Sequence, residues 1–140
     1  MAIDTTFLRR CVSSLELAVE EIQKKDIQNM PIYDIYRAAC VKEFELVLEQ
    51  SGKLLKKRIA GHFSSNRHVD FLTFKDLFRH AAKHGLIDIT TAERWLSYRD
   101  NRNSTAHDYG EHFAEITLKL LPAFIRDAKH LTNIIENNVD

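Results

Sequence analysis

The sequence predicts an all-α fold, an antiparallel bundle of about five helices. Three observations carry that expectation. Four glycines and two prolines in 140 residues are too few for the many turns of a β-chain. Apolar residues recur at intervals of three and four over long stretches, the period of a helix with one buried face. The stretches between them are mostly short, so consecutive helices must lie side by side in opposite directions.

The first helix is expected from about Thr5 to Lys25, where Leu8, Cys11, Val12, Leu15, Val19 and Ile22 fall on one face. Asp4 or Thr5 is placed to cap it. Asp26 to Pro31 reads as a connection, because Pro31 interrupts any continuing helix. The second helix, Ile32 to about Ala60, is the longest, and its ~28 residues would span about 42 Å. Gly52 interrupts its apolar face and marks either a kink or the close approach of another element. Gly61 to Asp70 is polar and reads as the longest loop. A short third helix, about Thr73 to His84, is stopped by Gly85. The fourth begins near Thr90, where Thr90 and Glu93 have capping-box spacing, and it carries Trp95 and Leu96. The fifth, about His112 to Asn137, presents Phe113, Ile116, Leu120, Phe124, Ala128, Leu131 and Ile135, with Pro122 expected to kink it.

A chain of this length fits one domain, taken as residues 1–140, and can bury a core without metal or disulfide support. Lys plus Arg and Asp plus Glu both number 20. That balance excludes bulk phosphate neutralisation by an overall basic protein, so any contact with nucleic acid must be local or assisted. Cys11 and Cys40 are far apart, lack metal-ligand or redox spacing, and read as reduced core residues. The N-terminal residues hold no long apolar segment, and no stretch approaches the ~20 apolar residues of a membrane span. A cytoplasmic location without membrane contact is expected.

Packing explains most of the chain, but not Tyr98 to Gly110. This run holds two arginines, two asparagines, two aspartates, a histidine and two tyrosines. It reads either as a solvated helix end and loop or as a site. Arg102 and His107 are the residues suited to chemistry, but they are five apart. On one unbroken helix they would stand about 140° apart around the axis. One site can use both if the helix ends near Ser104–Thr105, or if a second subunit completes it. Asn103, Ser104 and Thr105 are weak helix formers and Gly110 is a natural stop.

Arg102-Asn103-Ser104-Thr105-Ala106-His107-Asp108-Tyr109 has the form R-N-x3-H-x-Y. It resembles the R-x4–6-H signature of HEPN domains, and more closely the R-x4-H-x-Y form of HepT-like toxins. The order of the flanking segments, Lys42-Glu43-Phe44-Glu45-Leu46, then Phe74-Lys75-Asp76-Leu77-Phe78, then Gly85-Leu86-Ile87-Asp88, is similar to the branch called nucleotidyltransferase substrate-binding proteins. The resemblance covers nearly the whole chain. It implies a HEPN-like up-and-down bundle that forms a homodimer, with the motifs of two subunits lining one cleft. It implies a metal-independent endoribonuclease toxin, without cofactor, acting on RNA such as tRNA. Its antitoxin would be a minimal nucleotidyltransferase that adds AMP to the motif tyrosine. Carried over, Arg102 and His107 are catalytic, Asn103 supports them, and Tyr109 is the residue modified. The rival expectation is a non-catalytic adaptor that presents a substrate to the nucleotidyltransferase.

Other candidates have simpler readings. His80 and His84 are four apart, but no third ligand or zincin glutamate accompanies them, so an exposed helix face is expected. His62, His68, His112 and His130 have no companions in sequence. Lys53, Lys56, Lys57 and Arg58 form a basic stripe suited to a helix C-terminus, with RNA phosphates as the other reading. Trp95 is expected as an anchor in the core or at a dimer interface.

Overall fold

The computed structural model describes residues 3–63, 66–107 and 111–137. Among them are six α-helices and no strand: α1 (Thr6–Ile22), α2 (Pro31–Ile59), α3 (Asn66–Asp70), α4 (Phe74–Lys83), α5 (Ile89–His107) and α6 (Glu111–Glu136). Five match the expected segments. The sixth, α3, lies in the stretch expected to be a loop, preceded by a 3-10 turn over Ala60–His62. Val69, buried at 2% exposure, ties that stretch to the body of the protein. Among the described residues, no helix is long and apolar enough to cross a membrane.

Cross-helix pairs fix the directions. Arg9 bonds Glu136 and Lys129 bonds Glu16, so α1 and α6 run antiparallel. Tyr33 and Arg37 meet Glu115, and Phe44 packs on Phe124, so α2 and α6 run parallel. Asn101 meets Thr117 while Arg94 meets Asp127, making α5 antiparallel to α6. Phe78 stacks on Trp95 and Lys75 pairs with Asp100, making α4 antiparallel to α5. The core lies between α1, α2 and α6 and is closed by α4 and α5, with Leu8, Leu15, Phe44, Leu48, Phe78, Trp95, Phe124 and Leu131 fully enclosed. Cys11 and Cys40 are buried free thiols within it, and burial pushes the Cys40 thiol up to about 11. Such a thiol stays protonated and unreactive.

The helix ends show how local chemistry sets the boundaries. Asp4, not Thr5, supplies the cap of α1, its Oδ1 accepting the Thr6 N–H at 2.9 Å. Pro31 opens α2 rather than merely closing the connection, since the first helical position needs no N–H. The capping box falls on α4, where Thr73 accepts from the Asp76 N–H and the Asp76 side chain accepts from the Thr73 N–H. The expected box at Thr90 does not form. Asp88 precedes α5 and accepts the Thr91 N–H at 2.7 Å, and Thr91 itself is buried. Asp88, two positions upstream of Thr90, caps the helix with a carboxylate and so starts it earlier. Gly85 ends α4 with φ +76°, while Leu86 N–H bonds the Ala81 carbonyl and Gly85 N–H bonds that of Ala82. That is the double bond of a Schellman motif. Pro122 is exposed within α6, and the helix continues through it.

Gly52 is a point of close approach. A Cβ there would stand 2.9 Å from the Phe74 ring, so α4 begins directly against the backbone of α2. Buried Ser51 beside it is likewise small.

Candidate functional site

The polar segment is the second half of α5, and the first half fixes where it lies. Ala92, Trp95 and Tyr98 form the buried face. Trp95, fully buried, stacks on Phe78 at 4.8 Å and meets Phe124 edge-on at 5.5 Å, so it belongs to the core. Tyr98, one turn later, donates to Asp127 Oδ2 at 2.5 Å. Arg94 grips the same carboxylate with two N–H groups at 2.9 and 2.8 Å. Burial by itself would raise the Asp127 carboxyl; the Arg94 guanidinium and the Tyr98 hydroxyl together hold it below the usual carboxylate range. Tyr98 is driven well above the ordinary phenol value, first by burial and then by its bond to Asp127. Asp127 thus locks α5 to α6 through a charge-assisted fork plus a hydroxyl.

Two further contacts hold the next turn. Arg99 lies over the Phe74 ring at 5.3 Å, and Lys75 pairs with Asp100 at 2.8 Å, both from α4. On the opposite side Asn101 donates to Thr117 Oγ1 of α6 at 2.9 Å. The motif positions follow at once. Arg102 is half-buried and Asn103 exposed.

The helix end near Ser104–Thr105, one of the two arrangements that would let both residues serve one site, does not occur. Helix α5 runs on to His107, because tertiary contacts on both sides of the preceding turn outweigh weak local propensity. Positions 102 and 107 are therefore about 140° apart around one axis. Positions 103 and 107, four apart, share a face. Tyr109 and Gly110 lie outside the described residues.

Beyond the motif, α6 begins at Glu111 and its next turn meets the start of α2. Glu115 accepts from the Tyr33 hydroxyl at 2.9 Å and from Arg37 at 3.1 Å, and Arg37 also pairs with Asp34. A pocket of about 570 Å³ opens here, lined by Gln28, Asn29, Tyr33, Arg37 and Glu115 among others. Met30, Ile32 and Ile35 of this end stand exposed, as does Ile116 on α6.

Residues 4–137 match the family described as nucleotidyltransferase substrate binding protein like. The chain belongs to this family. It is 30% identical over 121 residues to the Haemophilus influenzae protein named "Probable ribonuclease HepT", covering 84% of this chain and 82% of that one. Its fold is shared with a Haemophilus influenzae protein whose structure is described as the fold of a substrate binding domain of a nucleotidyltransferase. That match has a TM-score of 0.84 and 27% identity, over 96% of this chain and all of the other. A Thermus thermophilus protein shares the fold at a TM-score of 0.73 and 20% identity, over 93% and 99% of the two chains.

The sequence reading missed the lock that sets α5 in place. Its signal was present: an acid, Asp127, inside the apolar stripe of α6, and Arg94 and Tyr98 one turn apart. It also missed the grouping of histidines. His62 stacks on His84 at 4.3 Å, and Phe63 meets both His68 and His80 at 5.0 Å. His80 is half-buried rather than exposed, and His62 and His68 have companions that sequence distance conceals. Among the described residues, no group of three or more His, Cys, Asp or Glu is arranged to hold a metal ion.

Proposed function

We propose that this protein is a metal-independent endoribonuclease of the HEPN type, the toxin of a pair whose antitoxin is a minimal nucleotidyltransferase. The observation that carries the reading is Arg102 and His107 at R-N-x3-H-x-Y spacing, in a chain 30% identical over most of its length to a protein named as a ribonuclease. In this reading the two residues act on the RNA itself. The 2′-hydroxyl loses its proton and forms a bond to the adjacent phosphorus. The P–O5′ bond breaks, and a proton is delivered to the departing O5′. The products are a 2′,3′-cyclic phosphate and a 5′-hydroxyl. An imidazole suits the proton transfers near neutral pH. A guanidinium offers a fixed cationic fork to the phosphoryl oxygens as charge builds on them. Asn103 orients the phosphate or its neighbour.

An unbroken α5 favours a site shared between two subunits, because one helix does not present positions 102 and 107 together. The exposed Met30, Ile32, Ile35 and Ile116 support a homodimer contact at this end of the bundle. Tyr109, two residues past His107, is the proposed target of AMP addition. A phosphodiester-linked adenylate places negative charge beside Arg102 and blocks RNA entry. Tyr109→Phe should escape the antitoxin and leave no adduct by mass spectrometry; full silencing of that variant without an adduct would rule the modification out.

The test is cleavage of total tRNA by purified protein in EDTA, comparing wild type with Arg102→Ala and His107→Ala. Cleavage by the wild type alone supports the ribonuclease. Equal inertness of all three favours the second reading, a non-catalytic adaptor of the nucleotidyltransferase. The structural relative described as a substrate binding domain points that way.

A further inference from the structure

The zero net charge conceals a strong segregation. From Lys53 to His84 the sequence holds eight Lys and Arg against only Asp70 and Asp76, a net of +6. The remainder holds the other 12 basic and 18 acidic residues, a net of −6. Four of the seven histidines also fall between Lys53 and His84.

The fold gathers this stretch into one corner. Lys56 at the end of α2 pairs with Asp70 of α3 at 2.8 Å. His62, in the 3-10 turn, stacks on His84 at the end of α4. Phe63 packs between His68 of α3 and His80 of α4. Along α4, Lys75, Arg79 and Lys83 recur every four residues, a stripe about 12 Å long. Arg79 and Lys83 are exposed, as is Arg67 on α3. The stripe ends at Lys75, whose partner Asp100 stands two residues before Arg102.

One aromatic lies within this corner and faces solvent. Phe71, between α3 and α4, is 75% exposed, the most exposed large apolar side chain among the described residues. A solvent-facing phenyl ring in a cation-rich stretch of the chain fits an unpaired nucleobase, which stacks on the ring while its phosphates meet the charges.

We propose that the α3–α4 corner is a docking surface for single-stranded RNA. Phe71 stacks a base, and Arg67, Arg79 and Lys83 contact phosphates. The proposal rests on the ribonuclease reading and explains how a neutral protein holds a polyanion.

The test is binding of a fluorescein-labelled single-stranded RNA to the full chain, by anisotropy across a KCl series. His107→Ala serves as the parent so that no RNA is cut. Adding Arg67→Gln, Arg79→Gln and Lys83→Gln should weaken binding at least tenfold. It should also flatten the plot of log affinity against log salt by about two, at ~0.7 per lost contact. Adding Phe71→Ala to the parent should cost about tenfold with an unchanged slope. Lys in place of Arg67 and Arg79 should keep the parent slope. Unchanged affinity and slope in the triple variant would overturn the proposal. So would intact RNA binding combined with loss of binding to the purified nucleotidyltransferase, which would make the corner a protein-docking face. The two readings fail separately. Corner-dependent binding without cleavage by the wild type sinks the ribonuclease and keeps the corner. Cleavage with the same KM in the wild type and in the wild-type chain carrying the three Gln changes sinks the corner and keeps the ribonuclease.

Discussion

Asp127 is the residue on which the placement of α5 turns, since its carboxylate collects Arg94 and Tyr98 from two successive turns. Asp127→Ala leaves a buried phenol hydroxyl without its acceptor and an arginine without its partner. Arg94 is 43% exposed and can rehydrate, so the loss falls toward the lower part of the range for a broken buried pair, about 3 kcal/mol. A fall in Tm of about 10 °C, read by calorimetry, is expected. The Asp127 carboxyl is held below the ordinary 3.8, so its contribution is complete above that pH and fades as pH falls through the folded value. Asp127→Asn should flatten acid unfolding below about pH 4. Sequence named Arg102, Asn103, His107 and Tyr109 by their spacing alone, R-N-x3-H-x-Y. Asp127 was not legible there, because its meaning depends on partners 29 and 33 residues away.

Element boundaries were legible wherever one local interaction decides them, and misread where two compete. Gly85 stops α4 because its positive φ closes the Schellman bonds. Thr90 lost the capping of α5 to Asp88, and the weak helix formers after Arg102 lost to tertiary contacts on α4 and α6. Gly52 shows tertiary demand in the other direction. Alanine there gains about 1 kcal/mol of helix propensity, but its Cβ falls 2.9 Å from the Phe74 ring. That ring is itself held by Phe78 and Arg99. Overpacking of about 1–3 kcal/mol should win, so Gly52→Ala is expected to lower stability in urea unfolding. Phe74→Leu in the same chain should recover part of the loss, and simple additivity of the two changes would refute the contact. The histidine stack makes a different prediction. Burial, with the imidazoles of His62 and His80 and the Lys83 ammonium nearby, holds His84 below its ordinary 6.5. The unfolded chain then takes up the proton first. The stack's contribution is full above pH 6.5 and is lost as pH falls through the folded value. The Tm should drop between about pH 7.5 and about pH 5.5, and His84→Gln should reduce that drop.

At the scale of the whole molecule, periodicity sufficed for the bundle, because long amphipathic helices with short links leave few ways to bury their faces. What periodicity cannot show is how charge is distributed in space. The sum of 20 and 20 reads as neutrality, and only the gathering of α2, α3 and α4 turns it into a basic corner beside an acidic remainder. The same holds for the site. Spacing named Arg102 and His107, but on the unbroken α5 the two positions stand about 140° apart, which is why the proposed function divides the site between two subunits. Mixing the purified Arg102→Ala and His107→Ala proteins, each inert alone, tests that division most directly. Random reassociation makes half the dimers mixed, and each mixed dimer rebuilds one intact arginine–histidine pair from two chains. Cleavage of tRNA in EDTA should return to about a quarter of the wild-type rate. A mixture as inert as its parents, beside an active wild type and with subunit exchange verified, would contradict the shared site.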